Sequence, residues 1–216
     1  MMMETYYRAR ASEYDRFYEN PERQEDLAQL RDWLTGHARG RTILEVAAGT
    51  GFWTQVAAPV AKAIMATDLV PETLAVAANR GLGQHVNWCV ADAYALPKFA
   101  LPFDAGMAHM WWSHVEKQRR FAFLSDLTAH LEPESLILMI DQTYVDGICT
   151  PVSRLDEWGN RYTLRKLGDG AVYEIVKNYP SDEELHDAFE RFGEDIRIMR
   201  LHHFWALTAR KPASSA

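Results

Sequence analysis

The segment from Ile43 to Thr54 constrains the fold more than any other part of the 216-residue chain. It opens with a short apolar run, Ile43 to Val46, which is long enough for a buried strand but too short for a helix. Small residues follow, and a helical segment begins near Phe52. A strand, a glycine-bearing turn and a helix in this order present free backbone N–H groups and a positive helix end to a ligand. The segment therefore predicts a ligand-binding loop at the end of a buried strand.

An acidic residue inside this strand distinguishes between two kinds of ligand, because the pattern is Glu45-x-Ala47-x-Gly49-x-Gly51. A dinucleotide-binding loop has the form G-x-G-x-x-G, whereas Thr54 stands three residues after Gly51. A carboxylate here would serve a pyrophosphate poorly but would tolerate a ligand with an ammonium group. The pattern resembles motif I of the class I S-adenosylmethionine-dependent methyltransferases, usually E-x-G-x-G-x-G, with Ala47 in place of the first glycine.

Two further acids follow predicted strands. Asp68 ends the second strand, where a carboxylate can accept both ribose hydroxyls of an adenosine. The alternative role of Asp68 is to cap the helix that starts near Pro71, and Leu69 would pack on the adenine. After the third strand, Asp92-Ala93 resembles the family's third signature, in which the acid accepts the adenine amino group and the next backbone N–H contacts the ring.

The resemblance covers nearly the whole chain in order, and it implies S-adenosylmethionine as the cofactor and S-adenosylhomocysteine as the product. We expect the cofactor contacts to come from the loop, the two acids and their neighbours, the end of the fourth strand and one N-terminal tyrosine. These residues are Tyr14, Glu45, Ala47, Gly49, Thr50, Gly51, Trp53, Thr54, Asp68, Leu69, Asp92, Ala93, His109 and Met110.

The N-terminal stretch over residues 6–18 has helical periodicity with aromatic residues on one face. Its pattern Y-Y-x-x-R-A-x-E-Y-D resembles the leader of many small-molecule methyltransferases, which folds over the cofactor. Tyr14 is favoured over Tyr6 as the side chain that closes the pocket. The alternative is a solvated helix whose aromatic seam docks on the core. A second predicted helix runs from Pro21 to Leu34 and is stopped by Gly36 and Gly40.

Five predicted strand–helix steps followed by a β-hairpin give the seven-stranded arrangement of this family, a three-layer doubly wound α/β sheet with one antiparallel strand. We expect a single domain over residues 1–216, with an N-terminal helical flap at 1–36 and a lid insertion at 143–180. The lid contains a predicted hairpin whose tight turn is Gly168-Asp169-Gly170. The alternative for this insertion is a decorative arm or one that forms a homodimer.

Residues after the fourth strand and in the lid are the expected acceptor contacts. His114 is either the general base or a helix-entry histidine bonded to backbone. Trp111 and Trp112 either form a wall of the acceptor pocket or belong to the core. Tyr144 and Arg154 would bind a hydroxyl or carboxylate of the substrate, although Arg154 could instead form a surface ion pair.

The composition limits the classes of partner, the location and the metal content that we expect for this chain. A formal charge of −7 argues against a nucleic-acid or anionic-membrane partner, and the start of the chain has no apolar run typical of a signal peptide, so a cytoplasmic location is expected. Cys89 and Cys149 are too few for a disulfide framework, and no Cys/His spacing indicates a metal.

The predicted function is methyl transfer to O, N or C of a small molecule. The alternatives are an inactive S-adenosylmethionine-binding partner protein and an NAD-binding oxidoreductase.

Overall fold

The computed structural model describes residues 2–10, 13–167 and 170–213. The helices are α1 (Met2–Arg10), α2 (Gln24–Ala38), α3 (Phe52–Ala57), α4 (Pro71–Ala78), α5 (Arg120–Ala129) and α6 (Asp182–Phe189). The strands are β1 (Thr42–Val46), β2 (Ala63–Asp68), β3 (Val86–Val90), β4 (Phe103–His109), β5 (Leu131–Gln142), β6 (Arg154–Leu155), β7 (Arg161–Lys166), β8 (Val172–Val176), β9 (Glu194–Arg200) and β10 (Phe204–Arg210). Short 3₁₀ turns cover Tyr14–Glu19, Pro21–Arg23, Trp112–His114 and Lys117–Arg119.

Seven strands form the central sheet, in the order β3-β2-β1-β4-β5-β10-β9. Strands β1 to β5 pair in parallel, and β10 lies antiparallel to both β5 and β9. This arrangement confirms the predicted three-layer sheet with one antiparallel strand. The strand order reverses between β1 and β4, and ligands of such sheets bind at the carboxyl ends of the strands beside that reversal.

Both faces of the sheet are covered, because alternate residues of each strand point to opposite faces. On one face, Leu44 packs in a core that contains Trp205, and both are fully buried. On the other face, the neighbouring residues Ile43 and Phe204 pack against α2 and α3. Burial on both sides explains why the central strands are nearly continuous apolar runs.

The N-terminal region departs from the prediction in two places. Helix α2 continues through Gly36 to Ala38, so the predicted end at Leu34 is wrong, whereas Gly40, the second predicted stop, does follow the end of the helix. A glycine inside a helix costs only about 1 kcal/mol, and the fully buried Leu30 and Leu34 hold this helix against the sheet. The single helix predicted over 6–18 is instead α1, which ends at Arg10, and a separate 3₁₀ turn over Tyr14–Glu19; Ala11 and Ser12 lie outside the described residues.

The lid segment, residues 143–180, contains the predicted hairpin as β7 and β8, with β6 added as a third strand. Gly168 and Asp169 of its predicted tight turn lie outside the described residues. The end of the segment is joined to the 3₁₀ turn that follows β4 by a bond from the Asn178 backbone N–H to the Ser113 carbonyl, at 2.7 Å. Division into one domain with a flap and a lid stays a prediction, as does a homodimer.

In the described part of the chain, no helix combines the length and the apolar character that are needed to cross a membrane.

Candidate functional site

A cavity of about 350 Å³ lies at the carboxyl ends of β1, β2 and β4, and we refer to it as the loop cavity. Most of the residues predicted to bind the cofactor, together with two predicted on the acceptor side, line it. They are Tyr14, Glu45, Ala47, Gly49, Thr50, Trp53, Asp68, Leu69, Asp92, Ala93, His109, Met110, Trp111 and His114. The fold thus brings four separate chain segments and the N-terminal region to a single site.

The glycine loop is built from left-handed backbone. Ala47 and Gly49 both have φ of 57°, and a Cβ built on Gly49 would meet nothing within 4 Å. Gly51 has φ of 77°, and a Cβ there would lie 2.9 Å from the Ala77 Cβ and 3.2 Å from the Trp88 ring. Gly49 therefore borders open space in the cavity. Gly51, predicted as a cofactor contact, instead allows α3 to pack closely on α4 and β3.

Glu45 is 1% exposed, and the Thr54 hydroxyl donates a hydrogen bond to its Oε2 at 2.6 Å. Thr54 therefore positions the Glu45 carboxyl group from behind, outside the cavity lining, rather than facing a ligand as predicted. Burial raises the pKa of Glu45 to about 8, outweighing the opposing effect of the Thr54 bond. The carboxyl group is consequently protonated near neutral pH unless a positive charge lies beside it.

Asp68 ties the glycine loop to the end of β2. Its Oδ2 accepts a hydrogen bond from the Gly49 backbone N–H and its Oδ1 accepts one from Val70, each at 2.8 Å. Val70, not Asp68, is the N-cap residue of α4, so the predicted capping alternative is wrong. Burial raises the pKa of Asp68, against the effect of these backbone bonds. Each oxygen retains a lone pair that can accept a further bond from a ligand.

The rim near Asp92 includes two residues that the sequence reasoning missed. Asp92 is exposed and accepts a hydrogen bond from the Tyr94 backbone N–H at 2.9 Å. The Arg119 guanidinium lies 3.5 Å from the centre of the Tyr94 ring, and both side chains line the loop cavity. Tyr94 could have been found from its position just after Asp92-Ala93. No sequence pattern indicated Arg119, because it lies in the 3₁₀ turn before α5, far along the chain from Asp92.

His109 is buried at the end of β4, with its ring 5.6 Å from that of Trp53. Neither ring nitrogen has a hydrogen-bond partner among the described residues. Burial lowers the pKa of His109 to about 3, so the ring is neutral. A neutral imidazole has one donor and one acceptor nitrogen, and in His109 both are enclosed by protein.

His114 follows β4 and is held from two sides. Its Nδ1 lies 2.7 Å from the Val176 carbonyl and therefore carries the proton, which leaves Nε2 to accept a bond from the Tyr7 hydroxyl at 2.8 Å. Burial, with a smaller contribution from Lys177, lowers the pKa of His114 well below its usual value. The backbone bond that one alternative predicted is present, and the His114 and Tyr7 side chains both line the loop cavity. A second cavity lies beside the loop cavity. Tyr14 lines both cavities, whereas Tyr6 lines the second cavity and not the loop cavity.

Three residues predicted on the acceptor side lie elsewhere. Trp112 is fully buried and packs on Phe189 with ring centres 4.9 Å apart, so it belongs to the core. Arg154 is paired with Glu174 at 2.8 Å on the exposed side of the lid, which matches the surface-pair alternative. Tyr144 is 40% exposed and contacts Tyr179. Neither Arg154 nor Tyr144 lines either described cavity.

Within the described residues, no group of three or more His, Cys, Asp or Glu side chains is arranged to hold a metal ion.

Comparisons with known proteins agree with this geometry. A family model described as "Methyltransferase domain" matches residues 43–134. No curated protein sequence matches the chain. A structure described as a DhpI-SAH complex is 28% identical, with a TM-score of 0.79, and the alignment covers 98% of this chain and 96% of that one. The corresponding values for a DhpI-SAM-HEP complex are 28%, 0.78, 95% and 94%.

A methyltransferase from Burkholderia thailandensis with bound 1,6-didemethyltoxoflavin and S-adenosylhomocysteine shares the fold at 20% identity and a TM-score of 0.57. That alignment covers 84% of this chain and 76% of the other. The matched domain contains the glycine loop, Asp68 and Asp92, and the alignment with the DhpI-SAH complex extends over 98% of this chain. The NAD-binding alternative is therefore set aside. Residues 43–134 match the methyltransferase domain, and the chain as a whole has the fold of S-adenosylmethionine-dependent methyltransferases.

Proposed function

We propose that the loop cavity binds S-adenosylmethionine and that the enzyme transfers its methyl group to O, N or C of a small-molecule acceptor. The observation that carries the proposal is the convergence of Glu45, the open Gly49, Asp68 and the end of β4 on one cavity. The SAH and SAM named for the DhpI complexes support the same cofactor here.

In this arrangement Glu45 faces the cofactor's ammonium group and the loop N–H groups face its carboxylate. Asp68 accepts the ribose hydroxyls, and Asp92 with Ala93 receives the adenine. The cofactor supplies a methyl group that its sulfonium already activates. The protein must then hold the acceptor in line with that methyl group and exclude water.

A small acceptor is favoured by the space available. The second cavity has a volume of about 330 Å³ and shares Tyr7, Tyr14, Met110 and His114 with the loop cavity. A molecule in the second cavity would therefore reach the methyl group past these four side chains. The formal charge of −7 opposes a nucleic-acid acceptor.

Calorimetry with S-adenosylmethionine, S-adenosylhomocysteine and NAD tests the cofactor. We expect both adenosyl compounds to bind and NAD to bind far more weakly. Asp68→Ala should weaken binding by about 1.5–3 kcal/mol, because hydrogen bonds to a charged acceptor are lost. Asp187→Ala, which alters an exposed acid of α6, is the matched control and should leave affinity unchanged. Tighter binding of NAD would overturn the proposal.

Cofactor binding near neutral pH should release about one proton from Glu45, because the cofactor's ammonium group favours the carboxylate over the protonated form. In the folded protein without cofactor, the pKa of Glu45 is raised to about 8. The protonated carboxyl group therefore stabilises the fold at low pH, and this contribution is lost as the pH rises through 8. Titrations in buffers of different ionisation enthalpy measure the released proton. Glu45→Gln should abolish the release. Equal binding heats in phosphate and Tris for the unaltered protein would contradict this expectation.

A further inference from the structure

The second cavity is strongly basic, although the chain as a whole carries a formal charge of −7. Five basic side chains and no acidic one are among its described lining residues. The basic residues are Arg10, Arg16, Arg23, Arg165 and Lys177. Such a concentration of one sign of charge in a concave site attracts and orients an oppositely charged ligand.

Two of these cations already have carboxylate partners. Lys177 is 2% exposed, and its Nζ lies 2.7 Å from the Ser113 hydroxyl and 3.5 Å from the Asp141 carboxylate. Arg16 lies 3.6 Å from Glu13 on the outer side. These two ion pairs neutralise part of the positive charge of the second cavity. The other three basic side chains are bonded differently.

Arg10, Arg23 and Arg165 have no carboxylate partner among the described residues. Arg10 donates to the Tyr6 hydroxyl, Arg165 donates to the Thr150 hydroxyl, and Arg23 donates to the Phe17 carbonyl at 2.7 Å. All three are partly buried. A guanidinium group has five N–H donors in a planar fork, so each retains donors that can bind an oxyanion.

The second cavity also adjoins the loop cavity at the end where His114 lies. Tyr7, Tyr14, Met110 and His114 line both spaces, and Arg165 and Lys177 approach from the lid. A group bound by these cations would hold the rest of the acceptor beside His114. The cations therefore lie where they can select an acceptor, and the cofactor's own carboxylate is served by the glycine loop.

We infer that the methyl acceptor carries a carboxylate or phosphoryl group, which Arg165 and Arg10 bind in the second cavity. The inference rests on the proposed function, because it takes the loop cavity to be the cofactor site. Arg165 is the stronger selector, since it lies on β7 of the lid, which is anchored to the sheet. Arg10 adds a second fork from the N-terminal helix.

Binding of matched probes to protein saturated with S-adenosylhomocysteine tests this inference. Benzoate and phenyl phosphate carry the two candidate anions, and benzamide is a neutral analogue of similar shape. We expect at least one anion to bind 10-fold or more tightly than benzamide, and the better of the two identifies the group. Arg165→Met should weaken anion binding 10-fold or more, and Arg165→Lys should restore part of it.

Lys166→Met is the control, because Lys166 is the next residue of the same strand, is exposed and lines neither cavity. It should leave anion binding unchanged. Affinity for S-adenosylhomocysteine should stay within about twofold in every variant, and thermal unfolding checks that each is folded. Benzamide binding as tightly as the anions, or unchanged anion binding in a folded Arg165→Met, would overturn the inference. Failure of the unaltered protein to bind S-adenosylhomocysteine would instead refute the proposed function.

Discussion

Replacement of His114 by asparagine is expected to slow methyl transfer by roughly 10²–10⁴-fold, the usual contribution of a general base. The asparagine amide can still donate to the Val176 carbonyl, as Nδ1 does at 2.7 Å in the native protein. It cannot replace Nε2, which is bonded to the Tyr7 hydroxyl, and both of these side chains line the loop cavity. The substitution therefore removes the proton acceptor while it keeps the backbone contact.

Burial and Lys177, with a further contribution from Arg165, lower the pKa of the His114 ring, so these surroundings make it a weak base. An anionic acceptor would offset both cations and restore basicity. Single-turnover rates with saturating cofactor measure the chemical step. His130→Asn is the matched control, because His130 also bonds to a backbone carbonyl, that of Asp126 at 2.8 Å, and lines neither cavity. A native rate for a folded His114→Asn would show that His114 is only structural.

Gly51→Ala should destabilise the fold by about 2–4 kcal/mol, combining the cost of a left-handed alanine with that of overpacking. The new Cβ would lie 2.9 Å from the Ala77 Cβ at a residue whose φ is 77°. For a chain of this size the loss corresponds to a melting temperature roughly 5–15 °C lower. Denaturant unfolding and calorimetric melting both measure it.

Gly49→Ala is the informative partner of that variant. Gly49 also has positive φ, but its Cβ would meet no protein atom within 4 Å. We expect a smaller stability loss, about 1–2 kcal/mol, together with a fall of at least 10-fold in cofactor affinity. Folded Gly51→Ala should keep most of its affinity. The opposite result, with Gly49→Ala binding normally, would show that the cofactor does not approach the loop there.

Much of the sheet and of the loop cavity could be predicted, because both depend on local patterns. Ile43 to Val46 specify a buried strand by themselves, and Asp68 and Asp92 follow strands whose carboxyl ends must meet at one edge of a parallel sheet. Helix ends were less predictable. Gly36 looked like a stop, but packing of the apolar face of α2 outweighs the local cost of glycine.

The acceptor side was harder to predict, because its contacts join residues that are distant in sequence. Tyr7 and His114 are 107 positions apart, and Lys177 and Ser113 are 64 apart. Trp111 and Trp112 are adjacent where the regular strand has ended, so no periodicity told which one faces the cavity. Only Trp111 does, while Trp112 enters the core.

A crystal structure with S-adenosylhomocysteine would show whether the loop cavity holds the cofactor. We expect the ligand in the loop cavity, with its ammonium group near Glu45 and its ribose hydroxyls on Asp68. Its sulfur should be directed to the boundary formed by Tyr7, Tyr14, Met110 and His114. In S-adenosylmethionine bound in the same way, the methyl group would point into the second cavity. A ligand bound outside the loop cavity would show that this cavity is not the cofactor site, and a sulfur atom directed away from that boundary would show that the second cavity does not hold the acceptor.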